Sequence, residues 1–200
     1  MTPYEHKEFE EAEAEKARKA AESWHPKLSS PRRKLNSTLK EMDSFRLHQE
    51  NIPLIIKLVE NPNYNTAKLF GGAVDLFTHD CIHVVLGRGL LVKDEAFVIG
   101  YTMGSTKSMK RWKRNLFMFV SKYLYPEGYK FGEEERFVFN MGVVAGSLCP
   151  TDLSQINFKK YLNKQMNTIR KDLKIDVDFL EKYYLLEKKC FKDTESQRLL

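Results

Sequence analysis

Small residues recur at every fourth position in two separate stretches of this chain: Ala96, Gly100 and Gly104, and later Gly142 and Gly146. Four residues make just over one helical turn, so each set falls on one face of an α-helix. A face without side-chain bulk admits another backbone at close range. The rest of the chain keeps a helical period. Leu35, Leu39, Met42 and Phe45 mark one helix, "IPLIIKLVE" a short apolar one, and Thr66 to Leu86 a helix apolar on most faces, as a buried central helix is. Gly87 and Gly89 are placed to stop it. The next inner helix is expected to start near Asp94, placed to cap it ahead of Glu95. A basic helix follows, with Met109, Trp112, Leu116, Phe119, Val120, Tyr123 and Leu124 on its apolar side. Further helices are expected over 133–148, about 154–173 and about 177–191, the last two separated by "KIDVD". Strand-type alternation is nowhere sustained. The expected fold is an all-α, multi-helix bundle.

Residues 4–24 are rich in Glu, Ala and Lys and carry only a thin apolar stripe. "SWHPKLSSPRRK", broken by Pro26 and Pro31, reads as a linker. Residues 1–32 are therefore expected to form a charged helical arm and linker, dispensable for the core, and residues 33–200 a single helical domain. Two hundred residues at 42% hydrophobic content suit one such domain. Cys81, Cys149 and Cys190 are an odd set without metal-knuckle spacing, which points to reduced thiols in a cytoplasm-like compartment. The N-terminal "MTPYEHKEFEEAEAEK" is charged where a secretory signal is apolar, and no apolar run approaches the roughly 20 residues of a membrane span. A soluble or peripheral protein on the cytoplasmic side, not secreted, is the expectation.

The net charge of +6 is concentrated. Lys107, Lys110, Arg111, Lys113, Arg114 and Lys122 fall between Ser105 and Tyr125 with no acidic residue among them, so the remainder of the chain sums to zero. Such a segment meets a partner or a membrane surface, or is the solvated side of a helix. No recognised nucleic-acid-binding motif accompanies it.

The chemistry lies in "FTHDCIHVVLGRGLLVKDEAF", residues 77–97. At about 100° per residue, His83 lies about 40° from His79 and about 60° from Asp80, so the three share one sector of a helix. Leu69, Gly72 and Leu76 continue that sector, and Glu95 follows His83 across a glycine-containing turn. If the next helix folds back, two imidazoles and two carboxylates converge, a donor set suited to one divalent Zn, Fe or Mn ion. The plainer alternative is a hydrogen-bonded His–Asp pair, but a buried cluster of this size without a cation is expensive. Asp75, four positions before His79, is placed to support the ligands or to pair with a cation, and Cys81 points away into the core. A second enzymatic reading is an HD-type phosphohydrolase, with His79 and Asp80 as its doublet and His48 and Asp152 as partners. That reading gives His83 and Glu95 no role.

"HDCIH", eleven residues and then Glu95 reproduces the His-Asp-x-x-His-x11-Glu signature of the ubiquinone biosynthesis protein Coq-four family, and Gly87 falls where that family has a glycine. "DEAFVIGYTMG", "FGEEERFVFNMGVVAG" and "NTIRKDLKI" resemble its later segments, so the resemblance spans roughly residues 65–175. It implies an all-helical protein with a divalent metal held by His79, Asp80, His83 and Glu95. It implies a position on a membrane face, and since a polyprenyl tail is collected from a bilayer, Lys107, Lys110, Arg111, Lys113 and Arg114 are the residues expected to face it. The implied activity is oxidative decarboxylation at ring C1 of a polyprenylated quinone precursor. Organisation of the other quinone-biosynthesis proteins is the second role the family implies, and a homo-oligomer is the further partner considered. A non-catalytic lipid-binding scaffold with a structural metal is the remaining reading.

Overall fold

A computed structural model describes residues 24–43, 74–106, 110–125 and 130–200. Eight α-helices lie within them: α1 Leu35–Asp43, α2 Leu76–Leu86, α3 Val92–Ser105, α4 Arg111–Tyr123, α5 Glu133–Leu148, α6 Met166–Asp172, α7 Val177–Cys190 and α8 Thr194–Gln197. Two 3-10 turns, Leu153–Gln155 and Phe158–Tyr161, join α5 to α6. There is no strand among the described residues, only an isolated bridge between Lys34 and Gln165. The fold is all-α. No helix among the described residues is long and apolar enough to cross a membrane.

The two small-residue faces meet each other. A Cβ on Gly100 would overlap the Phe139 carbonyl oxygen, and one on Gly104 that of Val143. Reciprocally, Gly142 leaves room only for the Phe97 carbonyl and Gly146 only for that of Tyr101. Contact positions rise together along both helices, so α3 and α5 run parallel, backbone against backbone. A parallel pair needs a return element between its members, and α4 is that element. It is pinned to the pair by Phe117, whose ring stacks on Phe139 with centroids 5.2 Å apart. The Phe131 N–H also donates to the Ser121 carbonyl at 3.1 Å.

Several sequence expectations are corrected by this arrangement. On α4 the buried residues are Phe117, Val120 and Ser121, whereas Trp112, Phe119 and Tyr123 are 50%, 56% and 58% exposed. The expected apolar side of the helix thus lies largely outside the core. The helix expected over Thr66–Leu86 does not run through Asp75, which is extended at φ −68°, ψ 162° and caps α2. Helix α3 begins at Val92, two residues before Asp94. The helix expected over 154–173 is broken because Asp152 and Asn157 hydrogen-bond their own chain, at Ser154 N and Lys159 N, in place of helix continuation. Helices α5 and α7 lie where the period places them, and α7 is capped by Asp176 on Phe179 N. The linker is anchored where it is described: Trp24 and Leu28 are buried, and Arg170 donates to the Leu28 and Val85 carbonyls at 2.9 and 2.8 Å. Most of the N-terminal arm, "IPLIIKLVE", His48, Phe45, Leu69, Gly72, Lys107 and Met109 lie outside the described residues.

Candidate metal centre

Helix α2 delivers two ligands because its ends are fixed. Asp75 accepts from Thr78 N at 2.7 Å at the start. At the end Gly87 takes φ +76°, which a side chain rarely adopts, and Leu28 and Pro26 fill the space a Cβ would need. Between these caps His79 and His83, one turn apart, lie face to face with ring centroids 4.6 Å apart and planes 12° apart. Their Nε2 atoms are 2.7 Å apart. Glu95, in the opening turns of α3, completes the group: Oε2 lies 3.0 Å from His79 Nε2 and Oε1 lies 3.2 Å from His83 Nε2.

The tautomer of His83 follows from its other nitrogen. Nδ1 lies 2.7 Å from the Gly89 carbonyl oxygen, which can only accept, so Nδ1 carries the proton and Nε2 turns a lone pair toward the cluster. Four electron-rich atoms at such distances need a hydrogen or a cation between them, either a proton on His79 Nε2 or a metal ion. Metal–ligand bonds of about 2.0–2.1 Å set neighbouring ligands about 3 Å apart at right angles and about 3.4 Å apart at tetrahedral angles. The observed 2.7–3.2 Å edges fit such a cation after small adjustments. Burial alone would lower the His83 pKa, but the charge and hydrogen bond of Glu95, then Asp94 and the Gly89 carbonyl, outweigh it and hold it above its ordinary value. Any metal therefore competes with a proton for this site. The His79, His83 and Glu95 group can hold a metal ion.

The site is closed at one side and open at the other: the His83 side chain is 1% exposed, that of His79 15% and that of Glu95 32%. Leu76, one turn from His79, and Val92 and Ile99, one turn to either side of Glu95, are at least partly exposed and share the helix faces of those ligands. Asp80 is buried on α2 beside His79 and is not a member of the three-residue group. Asp75 serves as the α2 cap. Its charge adds to burial in pushing the Cys81 thiol up to about 12, which leaves that buried sulfur inert. Asp152, the acid considered for a phosphohydrolase, accepts from Ser154 N and Oγ at 3.0 and 2.6 Å. Of the basic residues expected at a membrane, Lys110 immediately precedes α4 and Arg111, Lys113 and Arg114 lie in its first turns.

A second group of residues, invisible to the sequence reading, surrounds the loop between the ligands. Arg88 is wholly buried between the rings of Phe97 and Tyr184, with its guanidinium 4.1 and 4.3 Å from their centroids. It donates to both carboxylate oxygens of buried Glu187, at 3.1 and 2.5 Å. Asp94 lies 3.7 Å from Arg88, accepts from Leu91 N at 3.0 Å and pairs with Arg198. Two cations and two carboxylates thus balance in the interior. No local signal announces them, because the partners stand 99 and 104 positions apart. No family model matches this chain, and no curated protein or solved structure resembles it significantly.

Proposed function

We propose that this chain is a Coq-four-like, metal-dependent protein of polyprenyl quinone biosynthesis, acting on a ring precursor that carries a carboxylate. The observation behind the reading is the meeting of two imidazoles and one carboxylate on adjoining helices, with His79 and Glu95 partly exposed. His79, His83 and Glu95 hold the cation, with Asp80, buried beside His79, as the proposed fourth ligand. The Gly89 carbonyl keeps the His83 lone pair aimed at it. A divalent cation bound there would supply charge to polarise a carboxylate or phenolate oxygen and to stabilise the electron pair left on ring C1 as carbon dioxide leaves, with dioxygen as the co-reactant that takes up that pair. Leu76, Val92 and Ile99 would receive the apolar part of the substrate.

Helix α4 is the proposed bilayer contact. Trp112, Leu116, Phe119 and Tyr123 recur at helical spacing, so they share one face, and three of the four are well exposed. Lys110, Lys113, Arg114 and Lys122 accompany them, a combination found on helices lying in a membrane interface. Untagged protein reconstituted with Zn, Fe or Mn is expected to carry one metal per chain, with occupancy lost in His79→Ala and His83→Ala. Loaded protein is expected to release carbon dioxide from a prenylated aromatic C1 carboxylate. Metal-loaded protein that neither does so nor retains a prenylated lipid would reject the reading, and a full metal complement in both alanine variants would reject the site.

A further inference from the structure

The residues that aim the metal ligands are themselves held from the far end of the chain. Gly89, whose carbonyl orients His83, has no room for a Cβ: Trp24 O, Arg198 Nη2 and Asp94 Oδ2 would lie 2.5, 2.6 and 2.9 Å from it. Arg198 bridges these elements, pairing with Asp94 and donating to the Trp24 carbonyl at 3.1 Å. Asp94 immediately precedes the ligand Glu95. From the same segment, Glu195 Oε1 accepts from Lys93 N at 2.5 Å. That N–H belongs to the first turn of α3, where the helix itself offers no acceptor, and a carboxylate there also meets the positive end of the helix dipole. Asp193 holds the Lys93 ammonium at 2.7 Å.

We propose that residues Asp193–Leu199 form a latch on the metal centre, so that latch docking and cation capture stabilise each other. An apolar contact would close this end of the bundle equally well, since buried ion pairs add little net stability over well-packed hydrophobic groups. What the charged contacts add is direction: they pack against Gly89 and hold the first turn of α3, and through these they bear on His83 Nε2 and the Glu95 carboxylate. The coupling is reciprocal by thermodynamic necessity. It extends the metal reading above and rests on it.

The test uses Co²⁺ as probe on the full chain, with affinity read from visible absorbance and latch docking from hydrogen exchange of the 193–199 backbone. Arg198→Ala is expected to bind Co²⁺ at least tenfold more weakly than wild type, while Lys164→Ala, which breaks a surface pair with Asp172, binds normally. In wild type, Co²⁺ is expected to slow exchange across 193–199, a readout that needs no variant to fold. A change of ligand-field spectrum in Arg198→Ala would show altered ligand geometry rather than general loosening. Wild type that takes up no Co²⁺ sinks the metal reading and the latch together. Normal uptake with an unchanged Arg198→Ala affinity, or with exchange across 193–199 indifferent to the metal, sinks the latch alone.

Discussion

The α3–α5 seam and the loop joining α2 to α3 are both buried, yet they are built on opposite principles. The seam has no side chains at its closest points, only backbone against backbone at Gly100, Gly104, Gly142 and Gly146. The loop is crowded with charge, two arginines against two carboxylates. Close packing of glycine faces fixes a distance and tolerates nothing added. A buried ionic network fixes directions and tolerates nothing removed, because each partner's loss strands another charge away from water. The ligand set lies between the two, with Glu95 on the seam helix α3 and His79 and His83 on α2.

The difference can be broken at the loop first. Glu187→Ala leaves Arg88 buried without its bidentate partner and is expected to lower stability by about 3–5 kcal/mol in urea unfolding. A loss no larger than that of an exposed pair would mean that the loop is not held by its charges. Gly146→Ala attacks the seam by addition. Its Cβ meets the Tyr101 carbonyl, and overpacking is expected to cost about 1–3 kcal/mol or more. Gly132→Ala, whose Cβ would meet only the Glu135 carboxylate that caps α5, is the milder comparison and should cost about 1 kcal/mol or less through a weakened cap.

Between the two regions, Glu95→Gln keeps size and fold but is expected to weaken metal binding on the order of a hundredfold, measured by Co²⁺ titration. Glu195 sharpens the comparison through pH. Burial first, then the Asp94 charge, raises its carboxyl from 4.5 to about 7. Below 4.5 it is protonated folded or unfolded and costs nothing. As pH rises from 4.5 to about 7 the unfolded chain ionises first, so its contribution to stability is lost across that window and the loss is complete above it. Glu195→Gln should remove this slope, an effect on the order of 1 kcal/mol after solvent screening, in melting curves taken at successive pH values. The smallest effect on folding belongs to the α4 surface. Replacing Trp112, Phe119 and Tyr123 with Ser should move stability by about 0.5 kcal/mol or less per site, yet reduce binding to anionic vesicles.

What could be read in the sequence tracks the same divide. The seam was legible because a four-residue period of small residues has one use in a helix. His79, His83 and Glu95 were legible because three donors of metal-binding type fall at helix-related spacing in an apolar stretch. The Arg88–Glu187 and Asp94–Arg198 pairs were not, since 33 basic and 27 acidic residues offer far too many pairings for one sequence to choose among. The orientation of α4 was missed for a related reason. Val120 is buried as expected, but Phe117 competes with Trp112, Phe119 and Tyr123 for the core, and the placement of Phe139 on α5 decides for it. Over residues 154–173 one helix is expected, whereas in the fold the Asp152 and Asn157 side chains bend the backbone locally, a signal that short polar residues ahead of a helix carry.

The glycine seam also determines which part of the protein can yield. Two helices in backbone contact have no slack along their common axis, so α3 and α5 move as a single stiff beam and Glu95 travels with it. His79 and His83 ride on α2, which meets that beam through a short loop and has no glycine seam of its own with α3. A cation captured between them is a rivet joining beam to lever. The small closing or opening of the ligand group that capture demands therefore falls on the partly exposed first turn of α2, where His79 lies, and its mechanical signature is a stiffening of that turn with α5 unchanged.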